Sequence, residues 1–256
     1  MEFEYCLTYK ESKDFEIKVK NGEFITLLGE GNSKLINNLF FKKENNYITY
    51  KYSKISSRNL SNYRNNVIFI INRNLNIFLG ETVRDELAYG MENKGFEKEK
   101  MLENIKIISE KFKIHDLLDK DPNGLGISDK VKVKIAGALL CEPNILVLDN
   151  VLCEIDQCEK VNVVEYLKEY VKKGNIILNF TTDINESLYS EFLYIIGLDK
   201  ILISGKTLNV LNEDKILKKL GIGLPFIVEL NKYLIDYSII DSYILDEEKL
   251  VGMLCK

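Results

Sequence analysis

The chain has 256 residues, of which 46% are hydrophobic and 29% are charged, and its formal net charge is −4 at pH 7. A chain of this length and composition buries a sizeable core, either as one large domain or as one domain with an extension. Acidic and basic residues are interspersed without a basic stripe, which argues against nucleic acid as the primary partner.

The N-terminus lacks the basic and long apolar regions of a secretion signal. No apolar stretch approaches the roughly 18 residues that a membrane-spanning helix needs. We therefore expect the protein in the cytoplasm.

Four continuous apolar runs predict strands, at residues 24–28, 67–71, 145–148 and 176–180. Runs of this length are typical of strands that are buried on both faces of a mostly parallel sheet. Longer amphipathic stretches lie between the runs. The alternation of strand and helix indicates βαβ units and an α/β fold.

Two of the intervening stretches have the apolar spacing of helices. Residues 97–112 place Met101, Leu102, Ile105, Ile108 and Phe112 on one face, and the turn sequence of residues 121–124 follows. Residues 156–174 place Val161, Val164, Leu167 and Val171 at helical spacing. In the second stretch Asp156 and Glu159 resemble a capping box, and Gly174 suits the C-terminal stop.

Four segments carry a resemblance to a known family. They are GETVRDELAYGMEN (residues 80–93), DLLDKDP (116–122), IAGALLCEPNILVLD (135–149) and LPFIVEL (224–230). The first three resemble the ATP-binding cassette (ABC) ATPases of energy-coupling-factor importers for cobalt and vitamins, and the fourth resembles the C-terminal extension of that group. The similarity runs from about Gly22 to Leu230 in the family's order.

The resemblance implies a P-loop NTPase-like ABC ATPase fold, in which a mostly parallel sheet is joined by an antiparallel β part and a helical subdomain. It implies an ATPase-like domain at residues 1–211, with the helical subdomain at about residues 84–140. A helix-rich extension would occupy residues 212–256.

Members of the family are cytoplasmic subunits that lie peripherally at the inner face of the cell membrane. They dimerise head to tail, sandwich two ATP molecules, and transmit closure to a membrane scaffold. The resemblance thus implies ATP and Mg²⁺ as cofactors. It also implies a second ABC ATPase subunit, identical or different, and a transmembrane scaffold subunit as partners.

The phosphate-binding loop departs from the family's pattern. The motif G-x-x-x-x-G-K-[S/T] aims backbone amides and a lysine at phosphates, whereas this chain has Gly29, Gly31, Ser33 and Lys34 in a shorter loop. Lys34 matches the motif lysine in one alignment. In the other, Ser33 and Lys34 match the hydroxyl pair and no lysine remains. A purely structural interpretation has Ser33 capping a helix and Lys34 in solvent.

Other binding positions of the family also carry altered residues. Asn72 takes the position of a glutamine that reaches Mg²⁺ and water. The Leu-Ser-Gly-Gly-Gln signature aligns with residues 125–129, where Gly126 and Ser128 keep a small residue and a hydroxyl in exchanged order. Asp156 matches an aspartate of the following loop. Helix capping is the alternative role for both Ser128 and Asp156.

Two further family features concern the stacking of adenine and the docking of the membrane subunit. Tyr9 lies where the family places an aromatic residue that stacks on adenine. Ile77, Phe78 and Leu79 keep apolar the segment that forms part of the groove for the membrane subunit's coupling helix.

The catalytic positions follow the third apolar run. Asp149 matches the aspartate that holds Mg²⁺ through water, although an aspartate there also caps helices. Asn150 stands in the position of the catalytic glutamate, and Thr182 in that of the histidine that senses the γ phosphate. An amide is not a base near neutral pH, and loss of a general base typically costs about 10²- to 10⁴-fold in rate. No catalytic residue is therefore assigned.

These replacements predict a non-hydrolytic cassette subunit that pairs with an intact ATPase or a membrane scaffold. Several altered elements in one site do not fail additively, because such residues act as a unit. Two alternatives remain open at this stage. One is an active ATP-hydrolysing transporter subunit, and the other is an interaction protein that is independent of transport.

Overall fold

The structure is a computed structural model and describes residues 5–40 and 47–255. Its first half contains β1 (Leu7–Lys10), β2 (Glu16–Val19), β3 (Phe24–Gly29), α1 (Asn32–Phe40), β4 (Ile48–Tyr50), β5 (Ser53–Lys54), α2 (Leu60–Asn66), β6 (Val67–Ile71), α3 (Val83–Asn93) and α4 (Lys98–Lys111). Its second half contains α5 (Ile127–Leu140), β7 (Ile145–Asp149), α6 (Gln157–Lys172), β8 (Ile176–Thr181), β9 (Phe192–Ile196), β10 (Ile201–Lys206), α7 (Thr207–Asn212), α8 (Asp214–Lys219), α9 (Phe226–Asp236) and α10 (Glu247–Leu254).

The central sheet has the strand order β10-β9-β3-β8-β7-β6. Strands β9, β3, β8, β7 and β6 run parallel to one another, and β10 pairs antiparallel with β9. All four predicted strands are confirmed, each within one residue of its expected bounds. The carboxyl ends of β3, β8, β7 and β6 meet at one edge, which is where an open α/β sheet places its ligand sites.

Both faces of this sheet are covered, which explains the continuous apolar runs. Leu146 and Leu148 of β7 belong to a core shared with α3, α4, α5 and α6. Ile145 and Val147 of the same strand belong to a core shared with α1 and with the smaller antiparallel sheet β2-β1-β4-β5. Because successive side chains of a strand point to opposite faces, both sets must be apolar.

Two of the apolar residues that the helical spacing groups together are exposed. In α4, Leu102 is 49% exposed, whereas Ile105, Ile108 and Phe112 are buried. In α6, Val161 is 57% exposed, and the buried face instead includes Val163.

The ends of α6 give a mixed result. Gly174 follows the helix with φ +92, the conformation that a helix stop with glycine requires. Asp156 occupies the N-cap position, but its side chain makes no capping hydrogen bond. The predicted capping box is therefore wrong, because the Glu159 carboxylate contacts Lys132 instead.

The C-terminal helices pack against the edge of the central sheet. Leu193 and Ile195 of β9 share a third core with Val210 and with Val228 and Leu250 from the last helices. This core includes residues from both sides of position 211. The predicted domain boundary at that position stays a prediction. Across the described residues, no helix combines the length and apolarity needed to cross a lipid bilayer.

Candidate functional site

A pocket of about 400 Å³ lies at the carboxyl edge of the central sheet, between β6, β7 and the start of α1. We call it the edge pocket, and it is lined by Ser33, Ile36, Asn37, Ile71, Asn72, Arg73, Asp149 and Asn150. Four predicted site residues meet here, namely Ser33, Asn72, Asp149 and Asn150. The remaining predicted binding residues, Gly29, Gly31, Lys34, Gly126, Ser128 and Asp156, are not part of its lining.

Asp149 is the last residue of β7 and lies beside Ile71 of β6 and Phe180 of β8. Burial raises the pKa of its carboxyl above the usual range, and the nearby charge of Arg73 and a hydrogen bond with Asn150 only partly oppose this. A single carboxylate supplies one ligand of the octahedral set that Mg²⁺ demands, and substrate phosphates and water commonly supply the rest. Asp149 by itself therefore does not complete a metal site.

Asn150 connects the ends of two strands. Its backbone N–H donates to the Phe180 carbonyl at 2.8 Å, and its Oδ1 accepts from the Thr182 N–H at 3.1 Å. Its backbone has φ +50, a left-handed conformation that asparagine tolerates better than most residues. The structure thus brings Asn150 and Thr182 together through a direct hydrogen bond.

Asn72 is also engaged within the chain. Its Nδ2 donates to the Asn150 backbone oxygen at 2.7 Å and to Glu154 Oε1 at 2.9 Å. Glu154 and Arg73 are neighbours of the site that the sequence analysis did not single out. The contact between Asn72 and Glu154 joins residues 82 positions apart, so no local pattern signals it.

The start of α1 bears on the two alignments of the phosphate-binding loop. Helix α1 begins at Asn32, whose Nδ2 donates to the backbone oxygens of Leu27 at 3.0 Å and of Thr181 at 3.2 Å. The residue at the start of the helix is therefore asparagine, which supports the alignment without a lysine. Ser33 lies inside the helix, so the expectation that it caps the helix is wrong.

Lys34 does not reach into the edge pocket. Its Nζ forms ion pairs with Glu11 at 2.7 Å and with Asp199 at 3.3 Å. The expected free lysine in solvent is therefore an ion-paired lysine at the surface.

The two loop glycines lie against the end of β9. A Cβ atom added at Gly29 would sit 2.0 Å from the Ile196 carbonyl oxygen, and one added at Gly31 would sit 2.3 Å from the Gly197 carbonyl oxygen. Gly29 also has φ +138. Glycine is required at both positions because the loop packs directly on backbone carbonyls.

The signature-like segment forms a separate cluster at the start of α5. Gly126 is the N-cap residue and Ser128 lies within the helix, so the predicted capping role of Ser128 is wrong. Ser128 Oγ accepts from the Asp156 N–H at 3.2 Å and donates to Glu159 Oε2 at 3.3 Å. The hydroxyl that would meet a phosphate is thus occupied.

A buried lysine completes this cluster. Lys132 is 1% exposed, and its Nζ lies 2.8 Å from Asp129 Oδ1 and 2.8 Å from Glu159 Oε2. Burial by itself lowers the pKa of Lys132, but the hydrogen bonds with Asp129 and Glu159 raise it above the ordinary value. We call Asp129, Lys132 and Glu159 the lysine lock, because they join α5 to the start of α6.

A second cavity, of about 380 Å³, lies between β6, the segment after it, α3 and α5. We call it the partner groove. Ile77 and Leu79 line it with 58% and 65% of their surface exposed. Glu86 shapes its wall, because its carboxylate accepts from the backbone N–H groups of Leu79 and Gly80 and pairs with Lys134 at 2.7 Å.

Comparison with known proteins identifies the family. Residues 12–152 match the ABC transporter family. The chain is 30% identical over 251 residues to the energy-coupling factor transporter ATP-binding protein EcfA1 of Halalkalibacterium halodurans, and the match covers 95% of this chain and 90% of that protein. It is 27% identical over 250 residues to EcfA1 of Mycoplasmopsis pulmonis, covering 95% and 92% of the two chains.

Solved structures give the same fold. The structure of cbiO1 from Clostridium perfringens, part of the ABC transporter complex cbiONQ, matches with a TM-score of 0.71 at 22% identity and covers 90% of this chain and 99% of that one. A nucleotide-free ATP-binding cassette from an ABC transporter matches with a TM-score of 0.65 at 19% identity, covering 86% and 99%. The predicted ABC ATPase fold is confirmed, and the chain belongs to the ABC transporter ATPase family as a homologue of the energy-coupling-factor ATP-binding subunits.

Proposed function

We propose that this chain is a non-hydrolytic cassette subunit of an energy-coupling-factor importer. It pairs with an intact ATPase subunit and docks on a transmembrane scaffold at the inner face of the cell membrane. The observation that carries the proposal is Asn150, which stands where the family has its catalytic glutamate and whose side-chain oxygen accepts a hydrogen bond from the Thr182 N–H. An amide at this point cannot take a proton from water near neutral pH.

The other polar side chains of the edge pocket support the loss of chemistry. Asn72 donates to Asn150 and to Glu154, so its amide hydrogens are engaged within the chain. Thr182 carries no group that titrates near neutral pH. Catalytic groups that act as a unit lose their effect together. Hydrolysis at this edge pocket is therefore absent from the proposed role.

The partner groove supports the docking part of the proposal. Ile77 and Leu79 are apolar and exposed, and exposed apolar patches mark interaction sites. Two named relatives are ATP-binding proteins of energy-coupling factor transporters, and a protein of the same fold belongs to an ABC transporter complex. The same kind of assembly is the role we propose for this chain.

Docking is tested with one groove variant and one matched control. Leu79→Asp places a carboxylate in the groove, and burying an unpaired charge against a partner is costly. We expect at least a tenfold weaker association with a co-expressed energy-coupling-factor membrane subunit, equivalent to about 1.4 kcal/mol. Leu198 is 59% exposed and lies outside the groove lining, so Leu198→Asp should leave the association unchanged.

Hydrolysis is tested on the purified wild-type chain. We expect no release of phosphate from Mg-ATP above the level of an Asp149→Ala variant. Turnover that depends on Asp149 would refute the non-hydrolytic role. Failure of the wild-type chain to associate with either an intact cassette subunit or a membrane subunit would instead favour an interaction protein outside transport.

A further inference from the structure

The loop between β3 and α1 is bonded to β3 and β8 through Asn32 and packs on the end of β9 through Gly29 and Gly31. We call this set of contacts the tie. We propose that Asn32 and the glycines beside it fasten β3, β8 and β9 together, so that this chain does not take a triphosphate in its own cassette. This inference deepens the proposed function, since it concerns binding and not only hydrolysis.

The side chain of Asn32 provides the hydrogen bonds of the tie. Its side chain is neutral, it is 6% exposed, and both of its described hydrogen bonds end on backbone oxygens of neighbouring strands, Leu27 on β3 and Thr181 on β8. Its Oδ1 is buried without a hydrogen-bond partner in the described residues. Asn32 therefore offers a phosphate no cation, which the charge of the anion requires.

The loop is short and packs closely on neighbouring backbone. Only Glu30 separates Gly29 from Gly31, and both glycines lie against the carbonyl oxygens of Ile196 and Gly197. A phosphate cradle needs several backbone N–H groups that curve around the anion. A loop of this length, pressed onto carbonyl groups and carrying the carboxylate of Glu30, does not fit a phosphate group.

The only lysine of the loop and the first turn of α1, residues 29–35, is already ion-paired. Lys34 lies two residues after Asn32, but its Nζ is held by Glu11 at 2.7 Å and by Asp199 at 3.3 Å. Two carboxylates neutralise the single charge of the lysine. In the described residues of the loop and the first turn of α1, positions 29–35, Lys34 is the only cationic side chain.

Tyr9 stands at the position predicted to stack on adenine. Tyr9 is 1% exposed, and its hydroxyl donates to Glu11 at 2.9 Å and accepts from Asn38 at 2.7 Å. Its ring makes edge contacts with Phe15 and Tyr47. Because the ring is enclosed in the core, it offers no face on which a base can stack.

These observations agree on one outcome. The loop does not fit ATP, because Lys34 is ion-paired, the two glycines hold the loop against backbone carbonyls, and the ring of Tyr9 is enclosed in the core. Arg73 is a cation of the edge pocket, but it lies outside the loop. We therefore expect the chain to reach its assembled form without nucleotide.

The deciding experiment is isothermal titration of the full wild-type chain with Mg-ATP and with a slowly hydrolysed analogue, at millimolar ligand. We expect no binding heat, together with no change of the melting midpoint in a parallel thermal scan, since a ligand present far above its Kd would raise that midpoint. Saturable binding that is lost in Asp149→Ala would overturn the inference. Binding without turnover would leave the non-hydrolytic role intact, whereas turnover would refute both.

A pair of variants tests the tie itself. Asn32→Ala removes two buried hydrogen bonds, and we expect the melting midpoint to fall by about 4 °C while the response to Mg-ATP stays absent. Asn37 lies on the exposed side of the same helix, so Asn37→Ala should leave the midpoint unchanged. Equal midpoints for both variants would show that Asn32 ties nothing.

Discussion

The edge pocket and the partner groove both include Ile71 of β6 in their lining. They differ in whether the side chains that could meet a ligand or a partner are bonded within the chain or exposed. In the edge pocket, the side chains of Asn72 and Asn150 are hydrogen-bonded within the chain. In the partner groove, Ile77 and Leu79 stay exposed although they are apolar. Under the role proposed above, such a cassette keeps a surface for association while the polar residues of its edge pocket stabilise the fold.

The hydrogen bonds at the edge pocket connect the ends of three strands within the chain. Asn72 donates to Asn150, and Asn150 accepts from Thr182, so one chain of hydrogen bonds crosses the ends of β6, β7 and β8. Each bond of this kind contributes about 0.5–1.5 kcal/mol to stability. A bound ligand is therefore not needed to hold these strand ends together.

The largest expected effect comes from the lysine lock, which joins α5, a helix that lines the partner groove, to the start of α6. Lys132→Ala leaves Asp129 and Glu159 facing each other without the cation between them. Breaking a buried ion pair costs about 3–5 kcal/mol, and the partial exposure of the two carboxylates places the expected loss near 3 kcal/mol. Urea unfolding of the variant and the wild-type chain measures it.

The matched control for the lock is Lys106→Ala on α4. Lys106 is exposed, and surface substitutions of this kind usually change the free energy of unfolding by less than about 0.5 kcal/mol. If both variants unfold at the same urea concentration, Lys132 does not stabilise the contact between α5 and α6.

The next effect concerns Glu86, which supports the wall of the partner groove. Burial raises the pKa of its carboxyl, but the hydrogen bonds from Lys134, Gly80 and Leu79 outweigh this and lower it below the usual value. A lowered folded-state pKa means that the stabilisation is fully present above the unfolded value of about 4.3 and is lost as pH falls through the folded value. Stability should therefore decline on acidification below about pH 4.3.

Glu86→Gln sharpens this prediction. Hydrogen bonds to charged groups contribute about 1.5–3 kcal/mol, so the variant should lose about that much at pH 7 and show a flatter acid dependence. Glu110 is an exposed glutamate on α4, and Glu110→Gln serves as the control. An unchanged acid profile in Glu86→Gln would show that another carboxylate governs the decline.

The strands could be predicted from the sequence because their signal is local. Residues 145–148 are apolar at every position, and the structure buries Leu146 and Ile145 in different cores. The position of Asp149 at the pocket follows from the end of that run, as does that of Asn150. Where side-chain burial and strand order set the outcome, the residue pattern was sufficient.

The hydrogen-bond partners could not be predicted, because they come from distant parts of the chain. Asn32 bonds to Thr181 across 149 residues, and no local pattern distinguishes it from a surface asparagine. Glu159 satisfies the local spacing of a capping box, but the buried charge of Lys132 competes for it and prevails. Ser128 loses its expected capping role for the same reason, since Glu159 and Asp156 bind its hydroxyl.

The smallest expected effect tests whether the edge pocket lacks only its base. Asn150→Glu restores a carboxylate at this position, but φ +50 costs a residue with a longer side chain about 1 kcal/mol, and Asn150→Gly is the control that removes this strain. We expect slightly lower stability in urea and no gain of Mg-ATP hydrolysis, because the loop with Asn32 still offers no cation to a phosphate. Turnover by Asn150→Glu would mean that the missing carboxylate alone separates the edge pocket from an active site, and the contrast with the partner groove would then rest on a single residue.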